Sequence, residues 1–111
     1  MSVEHKTFLI YGVYSEDYEK FSDLDDRDDI KDYYSKDLTT GDFFVHCDGF
    51  CGEYSIFGVF LAVETEDDDL FSQISLSELN DINNRFFDFI NYNNIDIEGK
   101  EPKIYLMNIY T

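Results

Sequence analysis

The chain has 111 residues, with 25 acidic residues against 8 basic ones and a formal net charge of −17. It is 43% hydrophobic and 18% aromatic, which separates it from acidic disordered tails, since those are poor in aromatics, and its length predicts one α+β domain over residues 1–111 without metal or disulfide staples. Eight cations among 25 anions exclude nucleic-acid binding through a basic footprint and argue against anionic membrane surfaces.

Met1 to Lys6 is polar and has no apolar run leading to a small-residue cleavage site, so no secretory signal is expected. The longest apolar stretch, Ile56 to Val63, is too short to span a bilayer. Two cysteines, Cys47 and Cys51, in a chain without an export signal predict a reduced, cytoplasmic setting.

Thr7 to Tyr14 is β-branched and aromatic with apolar residues at both parities, and it reads as a strand covered on both faces. Ser15 then stands as an N-cap with Glu16 and Asp17 in a first turn. Tyr18, Phe21 and Leu24 recur at helical spacing, the run Asp23 to Asp29 interrupts, and Ile30, Tyr33 and Tyr34 resume. One bent helix or two short ones are expected between residues 15 and 36. Leu38 to Asp42 carries turn residues, Phe43 to Cys47 is a short strand, and Asp48-Gly49 marks a turn. Tyr54 to Val63 is a longer strand, again apolar at both parities, and Glu64 to Asp69 is an acidic loop.

Ser75-Leu76-Ser77-Glu78 fits a capping box, in which serine and glutamate satisfy each other's orphan amides. Leu79, Ile82, Phe86, Phe89 and Ile90 then mark one face of a helix, and Asn93 or Asn94 can close it in a left-handed conformation. After Gly99 and Pro102, Lys103 to Tyr110 gives the last strand. The order βαββαβ predicts a ferredoxin-like split βαβ domain with a four-stranded, mostly antiparallel sheet whose first and third strands are central neighbours. Whether Tyr11, Tyr54, Tyr105 or Phe60 lies on the open sheet face stays undecided at this stage. An apolar open face could make partner contacts or bury itself in a homodimer.

His46, Cys47 and Cys51 are the only soft ligands close together, but adjacent residues of a strand point to opposite faces, which is poor geometry for zinc or for a thiol with its base. The acidic runs fail as calcium loops. Counting from Asp23 the sixth position is Asp28 and the twelfth Tyr34; counting from Glu64 they are Asp69 and Ser75, where glycine and glutamate are required. No Gly-rich phosphate loop, Gly-x-Ser-x-Gly or His-Glu-x-x-His is present. No cofactor and no catalytic residue is therefore assigned, and a non-enzymatic protein is expected. The aromatics of Tyr54 to Leu61 lack the basic residue and glycine spacing of an RNA-recognition strand.

Charge is the remaining signal. Between Lys36 and Lys100 stands one base, Arg85, and residues 16–37 carry ten acids against four bases. A magnitude of about 2 to 8 suffices for solubility in a small domain, and the excess costs self-repulsion. The surplus points to a partner with a strongly positive surface, and such surfaces belong mostly to nucleic-acid-binding proteins. Carboxylates on a scaffold can imitate a phosphate array and steer association. The candidate array is Asp23, Asp25, Asp26, Asp28, Asp29 and Asp32, together with Glu64, Glu66, Asp67, Asp68 and Asp69.

The hairpin Asp48-Gly49-Phe50-Cys51-Gly52-Glu53-Tyr54, followed by Phe57-Gly58-Val59 and Leu61-Ala62, resembles small acidic tailed-phage proteins over the central third of the chain. The resemblance implies a host-takeover or anti-defence role, exercised by binding a bacterial protein in the host cytoplasm. DNA-mimic inhibitors are similar in size and charge. The alternatives are an immunity protein neutralising a basic nuclease toxin and, from another class, a small metal-dependent enzyme using paired carboxylates.

Overall fold

The computed structural model describes residues 5–33, 35, 37–48, 53–65 and 74–110. Among these residues four strands form one sheet: β1 (His5–Ser15), β2 (Phe43–Asp48), β3 (Tyr54–Thr65) and β4 (Lys103–Tyr110), with one α-helix, α1 (Leu76–Tyr92), between β3 and β4. The sheet order is β2-β3-β1-β4 and every pairing is antiparallel. β1 and β3 are thus the central neighbours, as the split βαβ reading requires. Both are apolar at both parities because both of their faces are covered. Phe8 and Ile10 on one face of β1, and Val13 on the other, are buried. The ladder between them shifts register at Leu9/Ile10, opposite Phe60 and Ala62.

α1 begins as expected. Ser75 is extended and its side chain accepts from the Glu78 amide at 3.2 Å, which satisfies one orphan donor of the first turn. Ile82, Phe86 and Ile90 are its buried stripe and cluster with Val13, Val45, Phe57 and Val59 from the sheet. The second sheet face has its own core of Phe8, Ile10, Phe44, Ile56, Phe60 and Met107, capped by Tyr33 with Leu38 beside it.

The first connection departs from expectation. Among the described residues of 15–36 there is no α-helix. Ser15 belongs to β1, and the helical element among the described residues there is a 3-10 helix, Ser22–Asp26. Short polar side chains bond the local backbone and compete with a helix: Ser15 Oγ accepts from Asp17 N at 3.1 Å, and Asp17 Oδ1 accepts from Glu19 N at 3.0 Å. The backbone then runs through successive i+3 bonds, from Lys20, Ser22, Leu24, Arg27 and Ile30 to the carbonyls three residues earlier. This repeat suits apolar residues spaced by three, so Phe21, Leu24 and Ile30 all reach the α1-side core. The segment then docks on the β2 edge, where Lys31 N donates to Phe43 O at 2.8 Å and Val45 N donates to Lys31 O at 3.0 Å.

Candidate functional site

The i+3 segment holds its carboxylates outward because its apolar residues are locked inward. Phe21, Leu24 and Ile30 are buried, while Asp23, Asp25, Asp26, Asp28 and Asp29 are exposed and Asp32 is half-buried. The fully buried Ser55 of β3 donates its hydroxyl to Asp17 O at 2.8 Å and fastens the start of the segment to the sheet. At the other end Arg27 Nη2 donates to Asn93 Oδ1 at 2.9 Å, and its guanidinium lies 5.3 Å from the Phe89 ring centroid, tying the segment to the end of α1.

Among the described residues the nearby cations are already engaged. Arg27 forks onto Asp29 at 2.9 and 2.8 Å, and this pairing holds the Asp29 carboxyl below the usual range. Lys31 contacts Asp42 at 3.0 Å and Asp37 at 3.4 Å, and Lys20 contacts Glu98 at 3.3 Å and Asp96 at 3.7 Å. Among the described residues, Asp23, Asp26 and Asp28 have no cation partner. Asp25 has a raised pKa, first from partial burial, then from the Asp32 charge and a hydrogen bond with Asp32, with Asp26 adding to it. Crowded like charges of this kind cost stability and gain long-range attraction for a cation.

The two halves of the predicted array do not meet. Asp25 lies close enough to raise the Cys47 thiol, and Cys47 pairs with Ser55 in the ladder, whereas Glu64 pairs with Thr7. Nine residue-to-residue steps of extended chain separate Ser55 from Glu64, about 30 Å. Glu66, Asp67, Asp68 and Asp69 lie outside the described residues. The compact candidate site is therefore Asp23, Asp25, Asp26 and Asp28, with Asp29 and Asp32 in its paired or half-buried flank, along the β2 edge.

His46 and Cys47 point to opposite faces, as adjacent strand residues must. Burial lowers the His46 pKa against the raising influence of Asp48 and Asp32, and burial pushes the Cys47 thiol up to about 11, so neither serves the other as base or nucleophile. Cys51 lies outside the described residues. Among the described residues no three His, Cys, Asp or Glu side chains converge as metal ligands, and no helix is long and apolar enough to cross a membrane.

The tyrosines left undecided by pattern are placed by parity. Tyr11 faces α1, where its hydroxyl bonds Asn83 Oδ1 and its ring meets Phe86 edge-on at 6.4 Å. Phe60 is buried in the core of the other face. Tyr105, Tyr14, Tyr54, His46 and Tyr33 form one aromatic row across all four strands on that second face, with neighbouring centroids 5.6 to 6.2 Å apart. A groove of about 790 Å³ separates α1 from the 95–102 connection. Its floor is Tyr11 and its walls include Asn80, Asn83, Lys100 and Glu101, without a paired acid and base at hydrogen-bond distance.

Compared with models of known protein families, with curated proteins and with solved structures, the chain matches none.

Proposed function

We propose that this chain is a non-enzymatic acidic binding protein, an inhibitor of the phage type, that occupies a basic nucleic-acid-binding surface of a host or defence protein. One observation carries the reading. Asp23, Asp25, Asp26 and Asp28 are exposed on a segment anchored by three buried apolar residues, and the cations beside them are spent on other carboxylates. A negative array held this way need not be ordered on binding, and it attracts a positive groove over a Debye length.

The experiment is capture of a partner from bacterial lysate on the tagged full chain, washed at about 0.05 M and about 0.5 M salt, where the Debye length falls from about 14 to about 4 Å. The expected result is a nucleic-acid-binding protein retained at low salt, released by DNA or heparin, and lost with the combined Asp23→Asn, Asp25→Asn, Asp26→Asn and Asp28→Asn variant. A partner whose retention ignores salt, polyanion competitors and the four substitutions overturns the reading.

A further inference from the structure

The groove between α1 and the 95–102 connection lies on the β1 side of the sheet, apart from the acidic segment at the β2 edge. α1 packs over β1, β2 and β3, and no β4 side chain joins the cluster beneath it, so a space is left above Tyr11 between the helix and the connection. The helix wall is one stripe, Leu79, Asn83, Phe87 and Ile90, at steps of four, four and three. The opposite wall is a turn. Glu98 and Gly99 have φ of +59° and +69°, and Lys100 N donates to Ile97 O at 3.1 Å, which gives residues 97–100 two left-handed central positions. Lys20 contacts Glu98 and Asp96, Lys100 Nζ donates to Tyr14 O at 2.8 Å, and Ile97 is buried, so this wall is held from three directions. A wall fixed this way costs nothing to order on binding, and a volume of about 790 Å³ suits a small molecule.

The polar groups at the floor set what that molecule must offer. Tyr11 is half-buried, and its pKa is raised first by burial and then by the Glu101 charge, so the hydroxyl keeps its proton and donates to Asn83 Oδ1. That bond occupies the Asn83 oxygen. It leaves both N–H groups of Asn83 Nδ2, which meet no acceptor among the described residues, and the lone pairs of Tyr11 Oη. A donor and an acceptor therefore stand side by side, joined through one hydrogen bond. Asn80 and Asn91, which also line the groove, each add an amide that both donates and accepts.

Charge narrows the class. Asp96, Glu101 and the net charge of −17 repel an anion, and Lys100, the cation lining the groove, is engaged with Tyr14 O. An ammonium or guanidinium head offers donors only and leaves Asn83 Nδ2 unmet. We propose that the groove binds a small neutral ring carrying vicinal hydroxyls, as a saccharide or a nucleoside without phosphate does. One hydroxyl accepts from Asn83 Nδ2, its neighbour donates to Tyr11 Oη, and the apolar faces of the ring lie among Leu79, Phe87 and Pro102.

The experiment is a proton–nitrogen NMR titration of the full chain with methyl glucoside, maltose, uridine and cytidine, each to about 20 mM, beside glucose 6-phosphate and uridine monophosphate. At least one neutral probe is expected to bind with a Kd of about 1 mM or tighter and to move the Asn83 side-chain amide with the backbone amides of 79–91 and 96–102. The sugar and nucleoside arms tell the two sources apart. The phosphorylated counterpart is expected to bind at least about tenfold more weakly. Tyr11→Phe removes only the hydroxyl and Asn83→Asp replaces the donor at the same shape; each, folded by circular dichroism, is expected to weaken binding at least about tenfold. Asn84→Asp, exposed and outside the groove, makes the same change of charge and is expected to leave binding unchanged. Amides that no neutral probe moves at about 20 mM overturn the proposal, as does binding that Tyr11→Phe and Asn83→Asp leave intact or that the phosphorylated probes match.

Discussion

Gly58→Ala tests the pairing on which the whole arrangement depends. Gly12 and Gly58 face each other where β1 and β3 cross the middle of the sheet. A Cβ on Gly58 would stand 2.3 Å from Tyr11 O and 2.7 Å from Gly12 Cα, and a Cβ on Gly12 would stand 2.1 Å from Phe57 O. All three are backbone atoms, so no side-chain rotation relieves the clash. Reaching ordinary contact, about 3.4 Å, requires the central strands to part by roughly 1 Å, which breaks or stretches two flanking ladder bonds at about 1 kcal/mol each and adds the 1–3 kcal/mol of an overpacked core. The expected loss is about 3–5 kcal/mol, a large share of the roughly 5–15 kcal/mol that a domain this size has. Urea unfolding followed by far-UV circular dichroism, with tyrosine emission as second probe in a chain of nine tyrosines and no tryptophan, measures it. Gly99→Ala is the control: its φ is +69° and nothing lies within 4 Å of the added carbon, so it should cost only the roughly 1 kcal/mol of a left-handed alanine. The double variant Gly12→Ala, Gly58→Ala should cost less than the sum, because one parting of the strands accommodates both carbons. A Gly58→Ala loss under 1 kcal/mol would refute the close crossing.

Three further outcomes are expected. Because Asp25 binds its proton more tightly folded than unfolded, its contribution is favourable at acid pH and is lost as pH rises through its folded pKa; Asp25→Asn should therefore stabilise the chain at pH 7 by about 0.5–1 kcal/mol, discounted for exposure, and by nothing near pH 3, measured as urea midpoints across pH. With its thiol near 11, Cys47 in a Cys51→Ser background should react with a disulfide reagent at pH 8 at least about tenfold more slowly in the folded chain than in urea, and equal rates would contradict the burial assigned to it. Ser55→Ala should cost about 1–2 kcal/mol in urea unfolding, because it leaves the Asp17 carbonyl without the hydroxyl that now satisfies it.

The sheet and α1 were legible in sequence because several signals coincide there. In α1 the Ser75 cap, the apolar spacing and the asparagines after it agree, and the structure follows them to within a residue or two. In β1 and β3 the loss of strict alternation pointed to burial on both faces. The first connection was misread because Tyr18, Phe21, Leu24, Ile30 and Tyr33 fit two periods over a short window. Taken with the intervening Arg27 they step by three, which is the 3-10 repeat, and the aspartates and serines between them favour local turns over an α-helix. The acidic site was legible as composition and not as shape, since only the register of β3 reveals that Asp25 and Glu64 belong to opposite ends of the sheet.

The acidic segment beside the β2 edge fixes the sign with which partner capture answers to salt. Attraction between Asp23, Asp25, Asp26 and Asp28 and a positive groove is screened as ionic strength rises, so partner capture falls. A capture that weakens with salt in the parent chain and is already weak at low salt in the combined Asp23→Asn, Asp25→Asn, Asp26→Asn and Asp28→Asn variant assigns the partner to this segment. A capture whose salt slope those four substitutions leave unchanged puts the partner elsewhere on the chain and removes the assignment.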